Sequence, residues 1–234
     1  MNRESNVYTI LFSAIMVVIF ALGLSLIHQT LRPKQIQNEN VDTMRQILRS
    51  LNIEASAAEA EAKYAELIKN AYLIAPDGSK VVGTEGTQYY DRAFSAISRR
   101  DAAGLPVFEA NVNGNTIFIL PMRGAGMWAP IWGYLAVNAD GNTIFGATFD
   151  HTSETPGLGD AIATQAFGER YIGKRLFQNG AFTSVSVVKP GASSLRGEDY
   201  VDGVSGGTIT SRSVGVMMYQ SIGAYENFLM NLQR

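Results

Sequence analysis

The chain has 234 residues, 46% hydrophobic and 17% charged, with a formal net charge of −2 at pH 7. That length supports one sizeable core plus an appendage, and the lack of a basic excess excludes the phosphate-neutralising surface that a nucleic-acid partner requires. Cysteine is absent and histidine occurs only at His28 and His151, so the chain by itself can build neither an iron–sulfur cluster nor a Cys/His zinc site, and any redox chemistry must use an organic cofactor.

Residues 8–27, YTILFSAIMVVIFALGLSLI, carry no charge and match the roughly 20 residues an α-helix needs to cross a bilayer. Small residues at Ala21 and Gly23 also suit a cleavage site, but the apolar run continues beyond them, which favours an uncleaved anchor over residues 1–34. Arg3 precedes the span, while Arg32, Lys34, Arg45 and Arg49 follow it. Charge alone would leave the remainder in the cytoplasm, but that rule is weak for long domains. A helical membrane-proximal region is expected over residues 35–100. It begins with two amphipathic helices, one carrying Met44, Ile47, Leu48 and Leu51, the other spanning residues 55–69 with Tyr64, Leu67 and Ile68 on one side.

A globular domain is expected over residues 101–234. PVFEANV and TIFILPM flank Asn113-Gly114, and WGYLAV and NTIFGATF flank Asp140-Gly141, two hairpins of an antiparallel sheet. A helical stretch follows at residues 159–170, then a strand at residues 182–188, a polar loop, and a C-terminal helix marked by Val214, Met218, Ile222, Tyr225 and Leu229. The fold class is α+β, an antiparallel sheet with flanking helices behind one transmembrane helix. The βα alternation of a doubly wound sheet is missing.

Three stretches are site-like. DGVSGGTITSRS, residues 202–213, places glycines and hydroxyl residues before the C-terminal helix, with Thr210 or Ser211 suited to its N-cap. Glycines admit a ligand close to the backbone and a helix N-terminus offers free N–H groups, so the loop suits a phosphate, although it can also serve as a cap with no ligand. Gly203-Val204-Ser205-Gly206-Gly207 also fits the nucleophile elbow of α/β-hydrolases, but the only usable base, His151, precedes Ser205, and the polar segment before the elbow does not suit a buried strand. In the second stretch, residues 150–159, Pro156-Gly157 predicts a type II turn that fixes the directions of Thr155 and Leu158. Its Asp150, His151 and Glu154 form a weak metal signal beside the simpler reading of a solvated loop. The third, residues 126–134, holds both tryptophans, Trp128 and Trp132, which also suit a core or membrane-interface cluster.

LPVFEA, GMWAPIWGYLAVNADGNTIFGATFDH, SETPGLG, SVSVVKPG and VDGVSGGTITSRSVG, in that order, resemble NqrC, the C subunit of the Na+-translocating NADH:quinone oxidoreductases, over nearly the whole chain. The resemblance implies covalent FMN, joined through its phosphate by a flavin transferase to the last hydroxyl of a D-x-x-S/T-G-A-T/S motif. Here that motif runs from Asp202 to Thr208, which makes Thr208 the acceptor and Asp202 a recognition residue, and Gly207 stands where alanine is usual. Ser205, Gly206, Gly207, Thr210, Thr155, Leu158, Trp128, Trp132 and Lys189 are the expected surroundings of the cofactor. The resemblance further implies one component of a translocase in the bacterial inner membrane, with its globular domain on the periplasmic side. Its partners would be the bilayer and the B, D and E subunits, and single electrons would pass from an iron–sulfur centre elsewhere toward the flavin of the B subunit. The G subunit of Rnf-type complexes shares the anchor, the turn and the motif, but GMWAPIWG and the extra helical stretch favour NqrC. A tethered scaffold without cofactor is the reading from another class. The span carries no ionisable side chain, so ion movement is assigned to partner subunits.

Overall fold

The structure, a computed structural model, describes residues 6–86, 104–194 and 197–234; Arg3 and the expected boundary at residues 100 and 101 lie outside them. The chain divides into two units, Met1–Asp42 and Thr43–Arg234. Helix α1 (Asn6–Ser50) accounts for the described part of the first unit and continues into the second. It contains an 18-residue window of mean hydropathy 2.8 with none of it buried, long and apolar enough to cross a membrane. The expected helix around Met44 is the end of α1 rather than a separate element. Nothing between Lys34 and Ser50 stops a helix: the only proline inside α1 is Pro33, and no glycine follows it within the helix.

In the second unit, α2 (Ala60–Leu67) is shorter than expected, because Ile68 and Lys69 open strand β1 (Ile68–Ile74). Pairing of this β-branched and aromatic segment with β2 (Leu105–Val112) overrides its local helical reading. β2, β3 (Asn115–Ala125), β4 (Pro130–Asn138) and β5 (Ile144–His151) complete a five-stranded sheet in the order β1-β2-β3-β4-β5, antiparallel throughout. Both hairpins fall where expected. Asn113 and Gly114 hold φ values of 53° and 85°, which set the tight turn between β2 and β3. At the other, the Asp140 side chain accepts hydrogen bonds from the amides of Asn142 and Thr143 at 2.9 and 2.8 Å.

Alternation along the strands creates two buried faces. Phe118, Leu120, Met122, Ile131, Leu135 and Phe149 point one way, into a core shared with Val214, Met217, Met218 and Ile222 of helix α4 (Thr208–Gly223). The residues that alternate with them along the strands, including Ile119 and Tyr134, are buried on the other face together with Phe108, the register partner of Ile119. That side meets the end of α1, where Gln46 donates to Asp150, Asn52 donates to the Phe145 carbonyl, and the Ser50 carbonyl leaves no room for a Cβ on Gly146.

The expected helix at residues 159–170 is broken into a 3-10 turn (Gly159–Ala163), helix α3 (Gln165–Gly168) and a second 3-10 turn (Glu169–Tyr171), because Thr164 is extended. The expected strand at residues 182–188 is likewise split. Ser184 at φ 58° separates β7 (Ala181–Phe182), paired with β6 (Phe177–Gln178), from β8 (Ser186–Val188), which runs parallel to β9 (Tyr200–Asp202). The C-terminal helix is two elements, α4 and α5 (Glu226–Leu232), parted at Tyr225, whose buried hydroxyl donates to the Pro106 carbonyl at 3.0 Å.

Candidate functional site

The parallel β8–β9 pair delivers two chain segments to the start of α4. Gly203 N–H donates to the Val188 carbonyl at 2.8 Å, which sets Lys189, the next residue of one segment, beside the Asp202 motif of the other. Arg170 adds a guanidinium bond of 2.6 Å to the Asp202 carbonyl and leaves Asp202 itself exposed. The short strand before Ser205 has only Val201 buried, unlike the core strand of a hydrolase elbow.

Helix α4 begins at Thr208 with Gly207 as N-cap, and no side chain caps it. Thr210 and Ser211, the expected caps, lie inside the first turn, where their hydroxyls are committed elsewhere. Ser211 Oγ accepts from Val204 N–H at 2.8 Å, and Thr210 Oγ1 donates to Glu154 at 2.6 Å. Residues two apart on a helix are separated by roughly 200°, so Thr208 and Thr210 face opposite sides. Thr210 is 2% exposed, whereas Thr208 and Ser205 are exposed. Beside Thr208 a shallow groove is lined by Val188, Lys189, Gly203, Ser211 and Arg212, which places two cationic side chains at the uncapped helix start.

The other flank is the turn at residues 155–158. Leu158 N–H donates to the Thr155 carbonyl at 3.1 Å, and Gly157 takes φ 75°, the positive φ that a type II turn requires at that position. Leu158, 42% exposed, packs so closely on Gly206 that a Cβ there would collide with its side chain. A Cβ on Gly207 would lie 3.0 Å from the Leu158 carbonyl oxygen, so glycine at 207 lets the turn sit tighter on the motif than the usual alanine. Trp128, 67% exposed, donates from Nε1 to Thr155 Oγ1 at 3.3 Å and so joins this flank.

Trp132 does not. It lies on the sheet face opposite to Ile131, and its Nε1 donates to Gln46 Oε1 at 2.9 Å. The reading of residues 150–154 as a solvated loop is also corrected. Glu154 is 4% exposed and its carboxylate accepts from Met127 N–H, Trp128 N–H and Thr210, while Asp150 accepts from Gln46 and His151 Nδ1 accepts from the Glu154 amide. Arg212 escaped the sequence reading, and Glu154 entered it only as part of a weak metal signal, not as a partner of Thr210. Arg212 was legible in principle, because i and i+4 share a helix face with Thr208; the role of Glu154 was not, because its partners are far away in sequence.

An uncapped helix start with Lys189 and Arg212 beside an exposed threonine fits a phosphate monoester, and the exposed Leu158 and Trp128 on the adjoining flank fit a flat apolar ring system. Residues 126–222, which include every one of these groups, match the family described as FMN-binding domain, and FMN is the cofactor. Among curated relatives, the C subunit of the Na+-translocating NADH-quinone reductase of Vibrio alginolyticus is 32% identical over 200 residues, covering 79% of this chain and 77% of the relative. Its counterpart in Vibrio anguillarum is 31% identical over 232 residues, 90% of this chain and 89% of the relative. Of solved structures, the C subunit of the Na+-translocating NADH-quinone reductase from Parabacteroides distasonis superposes with a TM-score of 0.78 at 48% identity, covering 85% of this chain and 96% of that one. NqrC of Shewanella oneidensis superposes with 0.67 at 26% identity, covering 84% and 98%. The chain therefore belongs to the NqrC family, the C subunits of the Na+-translocating NADH-quinone reductases.

Proposed function

We propose that Thr208 carries FMN through a phosphoester, and that the chain is a single-pass subunit relaying single electrons within a sodium-translocating NADH:quinone reductase. The observation that carries the assignment is the division of the α4 start into two sides. Thr208 is exposed beside Lys189 and Arg212, while the hydroxyl of Thr210 is buried on a carboxylate. Bound there, FMN supplies the one-electron chemistry that a chain without cysteine cannot supply itself.

Lys189 and Arg212 neutralise the phosphodiester, and the free amides of the first turn of α4 add the partial positive charge of a helix N-terminus. Leu158 presents an apolar surface to the ring. Thr155, whose oxygen already accepts from Trp128, keeps its O–H to donate toward a ring heteroatom. The exposed Asp202 carboxylate is offered to the flavin transferase during maturation. Electrons arrive from an iron–sulfur centre elsewhere in the complex and leave toward the flavin of the B subunit, with the D and E subunits as further neighbours. The domain lies on the periplasmic side.

Coexpression of the full chain with a flavin transferase tests the assignment. Thr208→Val, nearly equal in shape, abolishes in-gel fluorescence of the denatured protein, and Thr208→Ser retains label. Fluorescence persisting in Thr208→Val, with mass spectrometry placing FMN on Ser205 or Thr210, rejects it.

A further inference from the structure

We infer that Glu154 is a positioning residue that sets the direction of the acceptor threonine, an inference that rests on Thr208 being the acceptor. A carboxylate 4% exposed has to be satisfied by hydrogen bonds, and here the donors are all neutral. Oε1 accepts from the amides of Met127 and Trp128 at 2.8 and 3.3 Å, and Oε2 accepts from Thr210 Oγ1 at 2.6 Å. Three separate segments therefore converge on one side chain: the turn after β3 that carries Trp128, the turn that carries Thr155 and Leu158, and the first turn of α4.

The packing around Glu154 is built for this convergence. A Cβ at Gly126 would overlap Glu154 Oε1, and one at Gly159 would come within 2.6 Å of Thr210 Oγ1 and 2.9 Å of Glu154 Oε2. Neither glycine is required by positive φ: the Ala129 carbonyl and the Ile131 side chain join the carboxylate in excluding a Cβ at Gly126, and the Thr210–Glu154 pair fills the space at Gly159. The negative charge sits against the first turn of α4, where the peptide dipoles favour it. Because Thr210 faces away from Thr208, a bond that pulls Thr210 inward turns Thr208 outward, toward Lys189 and Arg212. The two threonines of the motif thus have different tasks. Thr208 takes the phosphoryl group, and Thr210 is the handle by which Glu154 holds the helix start.

The test is the initial rate of in-gel fluorescence labelling of the full chain coexpressed with the flavin transferase, with circular dichroism as a control for folding. Glu154→Ala slows labelling at least about tenfold, the size expected when hydrogen bonds to a charged group are lost. Glu154→Gln recovers most of the rate, because its carbonyl oxygen still accepts from Met127 and Trp128 and its amide donates to Thr210. Thr210→Val slows labelling and Thr210→Ser, which keeps the donor, does not. The Glu154→Ala/Thr210→Val pair is no slower than Glu154→Ala alone if the two act as one unit. Wild-type rates in folded Glu154→Ala, equal rates in Thr210→Val and Thr210→Ser, or additive losses in the double variant overturn the inference. Label surviving in Thr208→Val would instead overturn the acceptor assignment on which it rests, and the two failures are read from different variants.

Discussion

Leu158 and Thr155 are held by their turn and by Gly206, so what they offer a ring is decided before any cofactor arrives. Gly206 holds φ 76°, and alanine there would meet both a strained backbone and the Leu158 side chain. With FMN on Thr208, Thr155→Val removes a neutral hydrogen bond of about 0.5–1.5 kcal/mol, and Leu158→Ala strips the apolar contact from the ring. Each is expected to shift the visible flavin spectrum or the reduction potential of the labelled protein without unfolding it. Unchanged spectra and potentials in both variants would place the ring elsewhere.

At the scale of elements, the hairpin between β4 and β5 depends on a titrating group. Partial burial pushes the Asp140 carboxyl up, but hydrogen bonds from Thr143 and Asn142 outweigh it and hold the group below the usual carboxylate range. A carboxyl whose pKa is lower folded than unfolded contributes stability that is complete above its unfolded value near pH 4 and is lost as pH falls through the folded value. Asp140→Asn keeps an acceptor but not the charge. Thermal unfolding is therefore expected to show wild type more stable than Asp140→Asn at pH 6, by no more than about 1 kcal/mol at this exposed site, with the difference closing below about pH 4. A gap that stays constant over this range would assign the effect to side-chain shape instead. At the other end of the domain, the Tyr225 hydroxyl is pushed well above its ordinary range by complete burial, so it remains a neutral donor to Pro106 and anchors the corner between α4 and α5 to β2.

For the whole molecule, the apolar window of α1 and the domain behind it set the topology. The basic residues after the span favour a cytoplasmic domain by charge alone, but long domains cross largely regardless of charge. An alkaline phosphatase fused after Arg234 is expected to be active in a bacterial host, in line with a periplasmic domain. Activity only from a cytoplasmic reporter at the same position would reverse the orientation.

Local pattern by itself determined the elements whose signal lies within a few residues. The uncharged run of residues 8–27, the Asn113-Gly114 and Asp140-Gly141 hairpins, the turn at Pro156-Gly157 and the glycine loop before α4 are all written in spacing and turn chemistry, and each is where its residues indicate. Tertiary structure alone decided the rest. Ile68 leaves the helical pattern because β2 offers it a strand partner, Lys69 following in the register shift before Asn70, and the start of α4 moves ahead of Thr210 because that hydroxyl is bonded to Glu154. Trp128 joins the site from the turn between β3 and β4, while Trp132, four residues on and already within β4, points to the sheet face opposite to Ile131 and donates to Gln46. Glu154 and Thr210 stand 56 residues apart in the chain, and no local pattern encodes a bond that forms only when the sheet brings the two segments together.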